Sequence, residues 1–186
     1  MRVNETNIPG LKILYPKVFE DGRGYFFESY NQEIYLNHGI NERWIQDNQS
    51  KSKYGVIRGL HFQLNPFAQA KLIRVLQGRI YDIALDIRLG SPTYGQWFGL
   101  EISSENKIQF LIPEGFAHGF SVLSEETIVL YKCDTLYNPD SERGIAYNDP
   151  SLKIDWKIPL SKALVSEKDQ KLPLLNEAEK NFKFGI

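Results

Sequence analysis

Period-two alternation, repeated in one short run after another, is what most constrains this chain. Tyr81, Ile83, Leu85 and Ile87 interleave with Asp82, Ala84, Asp86 and Arg88. That is the spacing of a strand with one apolar face, because successive side chains of extended backbone point to opposite sides. Phe98, Leu100 and Ile102 alternate in the same way with Trp97, Gly99 and Glu101, and Ile108, Phe110 and Ile112 repeat the spacing. Residues 127–132 form a further β-branched run, the kind enriched in strands. Turn-forming groups separate the runs: Gln77-Gly78, Gly90-Ser91-Pro92, Ser103-Ser104-Glu105-Asn106, Pro113-Glu114-Gly115 and Asn138-Pro139-Asp140. Many short strands at regular spacing predict an all-β sandwich or barrel. Helix signals are confined to two short stretches, near residues 31–37 and 176–182. The expectation is a β-barrel or jelly roll with short peripheral helices. Its 10 tyrosines, 11 phenylalanines and 3 tryptophans are enough to fill the interior or line a cavity.

The totals narrow what such a barrel can serve. At 186 residues the chain reads as one domain, residues 1–186, long enough to bury a sizeable core. With 22 basic and 23 acidic residues the net charge is -1, which argues against a general nucleic-acid surface while leaving room for a local basic pocket. Cys133 is the only cysteine, so neither a disulfide framework nor a Cys-rich zinc site is available. Met1 is followed by polar residues without an apolar signal region, and no apolar run approaches ~18 residues. A soluble cytoplasmic protein without a membrane partner is expected.

The segment from Gln46 to Gln63 concentrates the candidate chemistry. An amide- and lysine-rich stretch runs into Ile57-Arg58-Gly59-Leu60-His61-Phe62-Gln63. Arg58 and His61, three apart, would project to opposite faces of a regular strand unless a bulge intervenes, and Gly59 is the residue to supply one. Of the three histidines, His38 follows the first helix signal beside a glycine and reads as a surface residue. His118 ends Pro113-Glu114-Gly115-Phe116-Ala117-His118, the Pro-x-Gly-x-x-His form of cupin barrels, in which that histidine points into the barrel mouth. Metal-binding cupins carry two histidines two apart and then an acidic ligand. The corresponding place here reads His61-Phe62-Gln63, with no glutamate between Pro66 and Arg74. A glutamine amide replaces an imidazole poorly, so no zinc or iron site is completed and no cofactor is expected. His61 is thereby directed towards acid–base work, for which its ordinary pKa of ~6.5 is suited.

Cations and a phenol complete the candidates. Arg23 lies in the turn Asp21-Gly22-Arg23-Gly24, and Lys71 and Arg74 stand near a strand start. Arginine grips phosphate bidentately and lysine neutralises an enolate or phosphate as a point charge. No Gly-rich phosphate loop is present, so a nucleotide would be held by side chains. Tyr131 in a strand is an ordinary packing residue by position, yet a neutral phenol with a pKa of ~10 can also return a proton to a carbanion. Asp169 alone would read as a surface acid.

Taken together, FEDGRGYFFESYN, QDNQSKSKYGVIRGLHFQ, QAKLIRVLQGRIYDIALDIRLGSPTYGQW, IPEGFAHGF, YKC and LYNPDSERGIAYNDPSLKIDW resemble the dTDP-4-dehydrorhamnose 3,5-epimerases, cupin-fold enzymes of the dTDP-rhamnose pathway. The segments run in the family's order and cover most of residues 7–175. The resemblance implies a metal-free epimerase acting on dTDP-4-dehydro-6-deoxy-glucose at C-3 and C-5. It makes His61 the base, Asp169 the carboxylate that orients it, Tyr131 the proton donor and Lys71 the stabiliser of the enolate oxygen. Arg23, Glu28, Gln46, Asp47, Asn48, Arg58, Lys71, His118, Glu142 and Lys168 match positions that hold sugar, diphosphate or thymidine, and a homodimer is implied. The chain departs from the family at Asp134, where a threonine is common, and at Ile57 and Phe62, where leucine and tyrosine are common. Asp134 and Tyr137 lie near the proton donor. A single-site 3- or 5-epimerase and a non-catalytic nucleotide-sugar-binding barrel are the alternatives; the incomplete ligand set disfavours a metal-dependent cupin oxygenase or isomerase.

Overall fold

The computed structural model describes residues 1–185. Short strands joined by turns pair antiparallel throughout the sheets. They are β1 (Arg2–Glu5), β2 (Lys12–Tyr15), β3 (Phe19–Asp21), β4 (Gly24–Phe26), β5 (Gln46–Lys53), β6 (Ile57–Gln63), β7 (Lys71–Gln77), β8 (Arg79–Asp86), β9 (Trp97–Ser103), β10 (Gln109–Ile112), β11 (Phe116–Val122), β12 (Glu126–Cys133) and β13 (Glu142–Gly144). A six-stranded sheet has the order β1-β2-β10-β7-β12-β5 and a five-stranded sheet the order β13-β6-β11-β8-β9, while β3 and β4 form a separate hairpin. This is the cupin-type jelly roll expected from the sequence.

The barrel interior lies between the two sheets. Ile73 and Val75 of β7, Phe110 and Ile112 of β10 and Val129 of β12 meet Ile80 and Ala84 of β8, Ile102 of β9, and Phe116 and Phe120 of β11. The alternation in β8 gives the expected apolar face, but its carboxylates are not open to solvent: Asp82 and Asp86 are 0% exposed. The reason is that both faces of β8 are covered. Ile80, Asp82 and Ala84 turn towards the interior, and Ile83 and Leu85 turn outward under Leu152, Trp156, Leu175 and Phe182 from the C-terminal segment. Burying each such side chain contributes about 1.5–3 kcal/mol, which offsets the ordering of an irregular covering segment. That segment is also tied by its own indole: Trp156 Nε1 donates to Tyr147 O at 2.8 Å, and Trp97 Nε1 of β9 reaches Leu152 O at 2.9 Å.

One of the two expected helices is present. α1 spans Gln32–Leu36; Asn31 caps it by accepting from the amides of Glu33 and Ile34. His38 follows it and is exposed, as expected. Around residues 176–182 only a single turn forms, closed by Ala178 N to Leu174 O at 2.9 Å. Here Phe182 O and Phe184 N pair with the main chain of Leu89 at 3.0 Å each, and Asn181 with Asn65. These tertiary partners outweigh the weak helix preference of the segment. No helix among the described residues is long and apolar enough to cross a membrane.

Candidate active site

The site begins with the expected bulge. Along β11, His118 pairs with His61 and Phe120 pairs with Arg58, so two steps on β11 oppose three on β6. The extra residue puts Arg58 and His61 on the same face of the sheet. Only glycine fits there: Gly59 has φ +121°, and a Cβ would stand 2.5 Å from Gly119 Cα and 2.7 Å from His118 O. The Gly59 amide donates to Asp169 Oδ2 at 3.3 Å, so the bulge also helps seat the carboxylate.

His61 Nε2 lies 2.8 Å from Asp169 Oδ1. Asp169 opens the 3₁₀ turn Asp169–Lys171, is buried, and donates its own amide to Ser166 Oγ at 3.1 Å. Burial alone would raise its pKa, but the hydrogen bond and charge of His61, with the Gly59 amide, hold the carboxyl below its ordinary range. An ionised Asp169 orients the ring and strengthens the base.

The face of His61 borders a cavity of about 280 Å³ whose lining includes Gln46, Asn48, Lys71, Tyr131, Tyr137 and Glu142. His61 comes from the five-stranded sheet. Gln46 and Asn48 on β5, Lys71 on β7 and Tyr131 on β12 come from the six-stranded one, where Tyr131 pairs with Asn48 and Cys133 with both Gln46 and Lys71. Base and phenol therefore stand on opposite walls. Burial pushes the Tyr131 pKa up, Cys133 and Glu142 push it further, and Arg58 opposes them, so the phenol rests protonated. Burial also lowers the Lys71 pKa, against Cys133, Asp82 and Glu142. At the rim, Glu142 accepts from the Tyr137 hydroxyl at 2.8 Å and pairs with Lys168. Burial would raise the Glu142 pKa, but those two donors bring it below the ordinary value.

Gln63 stands where a metal cupin has its second histidine, and its side chain is turned to the neighbouring main chain. Its Nε2 donates to Phe67 O at 2.7 Å and Leu136 O at 3.3 Å, and its Oε1 accepts from Asn138 N at 2.7 Å. Both ends of this carboxamide are engaged by the main chain. No group of three or more His, Cys, Asp or Glu converges among the described residues. A larger cavity, about 420 Å³, lies at Asn65, Arg88, Glu114 and residues 181–185, but its arginine is held by Asp86 at 2.7 Å.

Of the residues expected at the site, the fold gathers His61, Asp169, Lys71, Tyr131, Gln46, Asn48, Glu142 and Lys168. Arg58 shares the His61 face and donates through Nε to Ser52 Oγ at 3.1 Å. Four do not join within one chain. Asp47 points to the opposite side of β5 from Gln46 and Asn48 and pairs with Lys132 at 3.0 Å. His118 is buried in the interior on Asp82, at 3.0 Å, rather than lining the mouth. Arg23 extends from the β3–β4 hairpin, 91% exposed, on Asp21 at 2.6 Å. Glu28 accepts from Asn31 Nδ2 near α1, beside a separate cavity. Tyr137, expected near the proton donor, lines the pocket, and Gln63 and Gln69 line it without having been expected there. The available signal was parity: Gln63 is two from His61 and Gln69 two from Lys71.

A jelly-roll barrel that sets a carboxylate-paired histidine against a protonated phenol across one pocket has the arrangement acid–base chemistry requires. The sequence model of the dTDP-4-dehydrorhamnose 3,5-epimerase family matches residues 5–177. The chain belongs to that family and is an isomerase. The Salmonella typhimurium dTDP-4-dehydrorhamnose 3,5-epimerase is 51% identical over 179 residues, 96% of this chain and 97% of that protein. The crystal structure of the Elizabethkingia anophelis enzyme matches with a TM-score of 0.91 at 49% identity, covering 95% of this chain and 97% of its own. A Legionella pneumophila dTDP-6-deoxy-D-glucose-3,5-epimerase, solved in complex with dTDP-4-keto-L-rhamnose, gives 0.91 and 49% over 95% of this chain and 93% of that one.

Proposed function

We propose that this protein inverts C-3 and C-5 of dTDP-4-dehydro-6-deoxy-glucose in the cytoplasm, yielding dTDP-4-dehydrorhamnose without a cofactor. The His61–Asp169 pair facing Tyr131 across one pocket carries the reading. The 4-keto group acidifies the hydrogen on each neighbouring carbon. His61 removes it, Lys71 stabilises the enolate oxygen, and Tyr131 returns a proton to the opposite ring face. Repetition at the second carbon completes the reaction. Loss of one such oxyanion donor typically costs ~3–4 kcal/mol in the barrier, the size expected for Lys71. Gln46, Asn48, Arg58, Glu142 and Lys168 hold the nucleotide sugar.

Arg23 and Glu28 act from a second copy in a homodimer. Support comes from the β3–β4 hairpin, where Phe19, Tyr25 and Phe26 are 52%, 57% and 67% exposed, an apolar surface that its own chain leaves uncovered. A monomeric mass by light scattering at micromolar concentration would remove that part of the reading. Two observations weigh against the alternatives. Asp134 Oδ1 accepts from Ala70 N at 2.8 Å and lines no part of the pocket, so this departure does not single out one carbon. The paired base and acid exceed what a binding module needs. The decisive test is solvent-deuterium exchange into the substrate by metal-free protein. Two deuteriums, at C-3 and C-5, are expected; one means a single-site epimerase, and none removes the enzyme assignment.

A further inference from the structure

Residues 134–138 carry the chain across the pocket from Cys133 towards β13 in neither strand nor helix. Irregular backbone beside a pocket must find partners for its N–H and C=O groups or leave them to solvent. Here five consecutive residues are each fastened by a side-chain to main-chain hydrogen bond. Asp134 Oδ1 accepts from Ala70 N at 2.8 Å. Gln69 Nε2 donates to Thr135 O at 2.6 Å and Gln63 Nε2 to Leu136 O at 3.3 Å. The Tyr137 amide donates to Gln46 Oε1 at 2.9 Å and the Asn138 amide to Gln63 Oε1 at 2.7 Å.

Three of the four fastening side chains are glutamines that also line the pocket. They come from both walls, Gln46 from β5 and Gln63 from β6, with Gln69 just ahead of β7. The segment they hold carries Tyr137, which is 54% exposed and therefore not held by packing. Its hydroxyl meets Glu142, so loop and rim form one wall of the pocket.

We infer that Gln63 and Gln69, together with Gln46, are positioning residues that hold residues 134–138 as a preformed wall and set Tyr137 and Glu142 against the sugar. Resting on the epimerase reading, this gives Gln63 a purpose at the place where a metal cupin has its second histidine: it aligns the substrate instead of binding an ion. A wall displaced by about 1 Å misaligns the reacting carbon between His61 and Tyr131, and such misplacement can lower the rate up to ~100-fold.

The test compares wild type with Gln63→Leu and Gln69→Leu by amide hydrogen exchange over residues 134–138 and by steady-state kinetics. Protection of the Tyr137 and Asn138 amides is expected to fall about tenfold in Gln63→Leu, with kcat reduced 10- to 100-fold and KM changed less than about threefold. Gln69→Leu, at a half-exposed position, should do the same more weakly through Thr135, and it carries the test if Gln63→Leu fails to fold. Unchanged exchange in a folded variant, or lost protection with wild-type kcat, would overturn the inference. Amide exchange reports on the loop even if the wild-type protein turned out not to epimerise, so the two failures are distinguishable.

Discussion

The molecule contains two histidine–aspartate pairs of nearly the same geometry, and only the histidine of one borders the pocket. His61–Asp169 closes at 2.8 Å and His118–Asp82 at 3.0 Å, and the two histidines are direct cross-strand partners between β6 and β11. Their surroundings differ. His61 has 29% of its side chain exposed to the pocket above a 6% exposed Asp169, whereas His118 is 8% exposed over an Asp82 at 0%. The carboxylates respond in opposite senses. Asp169 gains the Gly59 amide besides its histidine and is held below the ordinary range. Asp82 has no main-chain donor, and burial pushes its pKa up against His118 and Lys71. A hydrogen-bonded His–Asp pair is thus not a catalytic signature in itself. Access to the pocket and a second donor to the carboxylate are what distinguish the His61 pair from the His118 pair.

Removing each imidazole should therefore damage a different property. His61→Asn is expected to lower deuterium exchange at both carbons by ~10³- to 10⁴-fold, the range of a lost general base, with a thermal midpoint close to wild type. His118→Asn removes the imidazole that partners Asp82 in the interior, and a buried polar group left without its partner costs about 1–3 kcal/mol of stability. Its main defect should be unfolding at lower denaturant, with a much smaller change in turnover per folded molecule. The comparison breaks if His61→Asn keeps wild-type exchange, or if His118→Asn silences a protein that remains as stable as wild type.

Tyr131 tests the opposite wall at a smaller expected amplitude. Tyr131→Phe keeps the ring and its packing while deleting the proton, so inverted product should form ~10²-fold more slowly. His61 can still remove and return a proton on its own face. Deuterium should then enter substrate of unchanged configuration faster than inverted product accumulates, as NMR of the sugar protons would report. Equal loss of exchange and inversion would mean that the phenol does not act separately from the base.

How much of this was legible beforehand depended on how local the cause was. The strands follow from alternation, and Gly59 between Arg58 and His61 is the signal of the bulge. Which side of β8 faced the interior was not legible, because its outer residues are buried by a segment about 70 to 100 residues later in the chain, through Trp156 and Phe182. Asp169 is 108 residues from His61 and enters from a single 3₁₀ turn, so no periodicity signals it; only the family resemblance did. His118 was expected at the mouth because its motif matches, yet a motif does not report depth along a strand. The fastening of residues 134–138 was also hidden, since a glutamine beside a pocket reads the same whether it faces ligand or backbone.

The smallest effect, and the sharpest on the comparison, is the sign of pH dependence. Asp169 has a folded pKa below its unfolded one, so its stabilisation is present above about pH 4 and lost as pH falls through the folded value. Asp82 is the reverse case: its folded pKa is raised, so the stabilisation is present below about pH 4 and lost as pH rises through the higher folded value. The groups facing Asp169 are His61, the Gly59 amide and Ser166; those facing Asp82 are His118 and Lys71. Substituting each by asparagine removes its titration while nearly keeping its shape. The deficit in thermal midpoint of Asp169→Asn relative to wild type should shrink as pH is lowered from 7 towards 3, because wild type loses the same contribution. The deficit of Asp82→Asn should widen over that interval, because protonation relieves the wild-type carboxyl of an ionised burial that asparagine never had. Midpoints by calorimetry at several pH values are sufficient, and deficits that move in the same direction would mean that both carboxylates sit in equivalent environments, leaving only access to the pocket to tell the pairs apart.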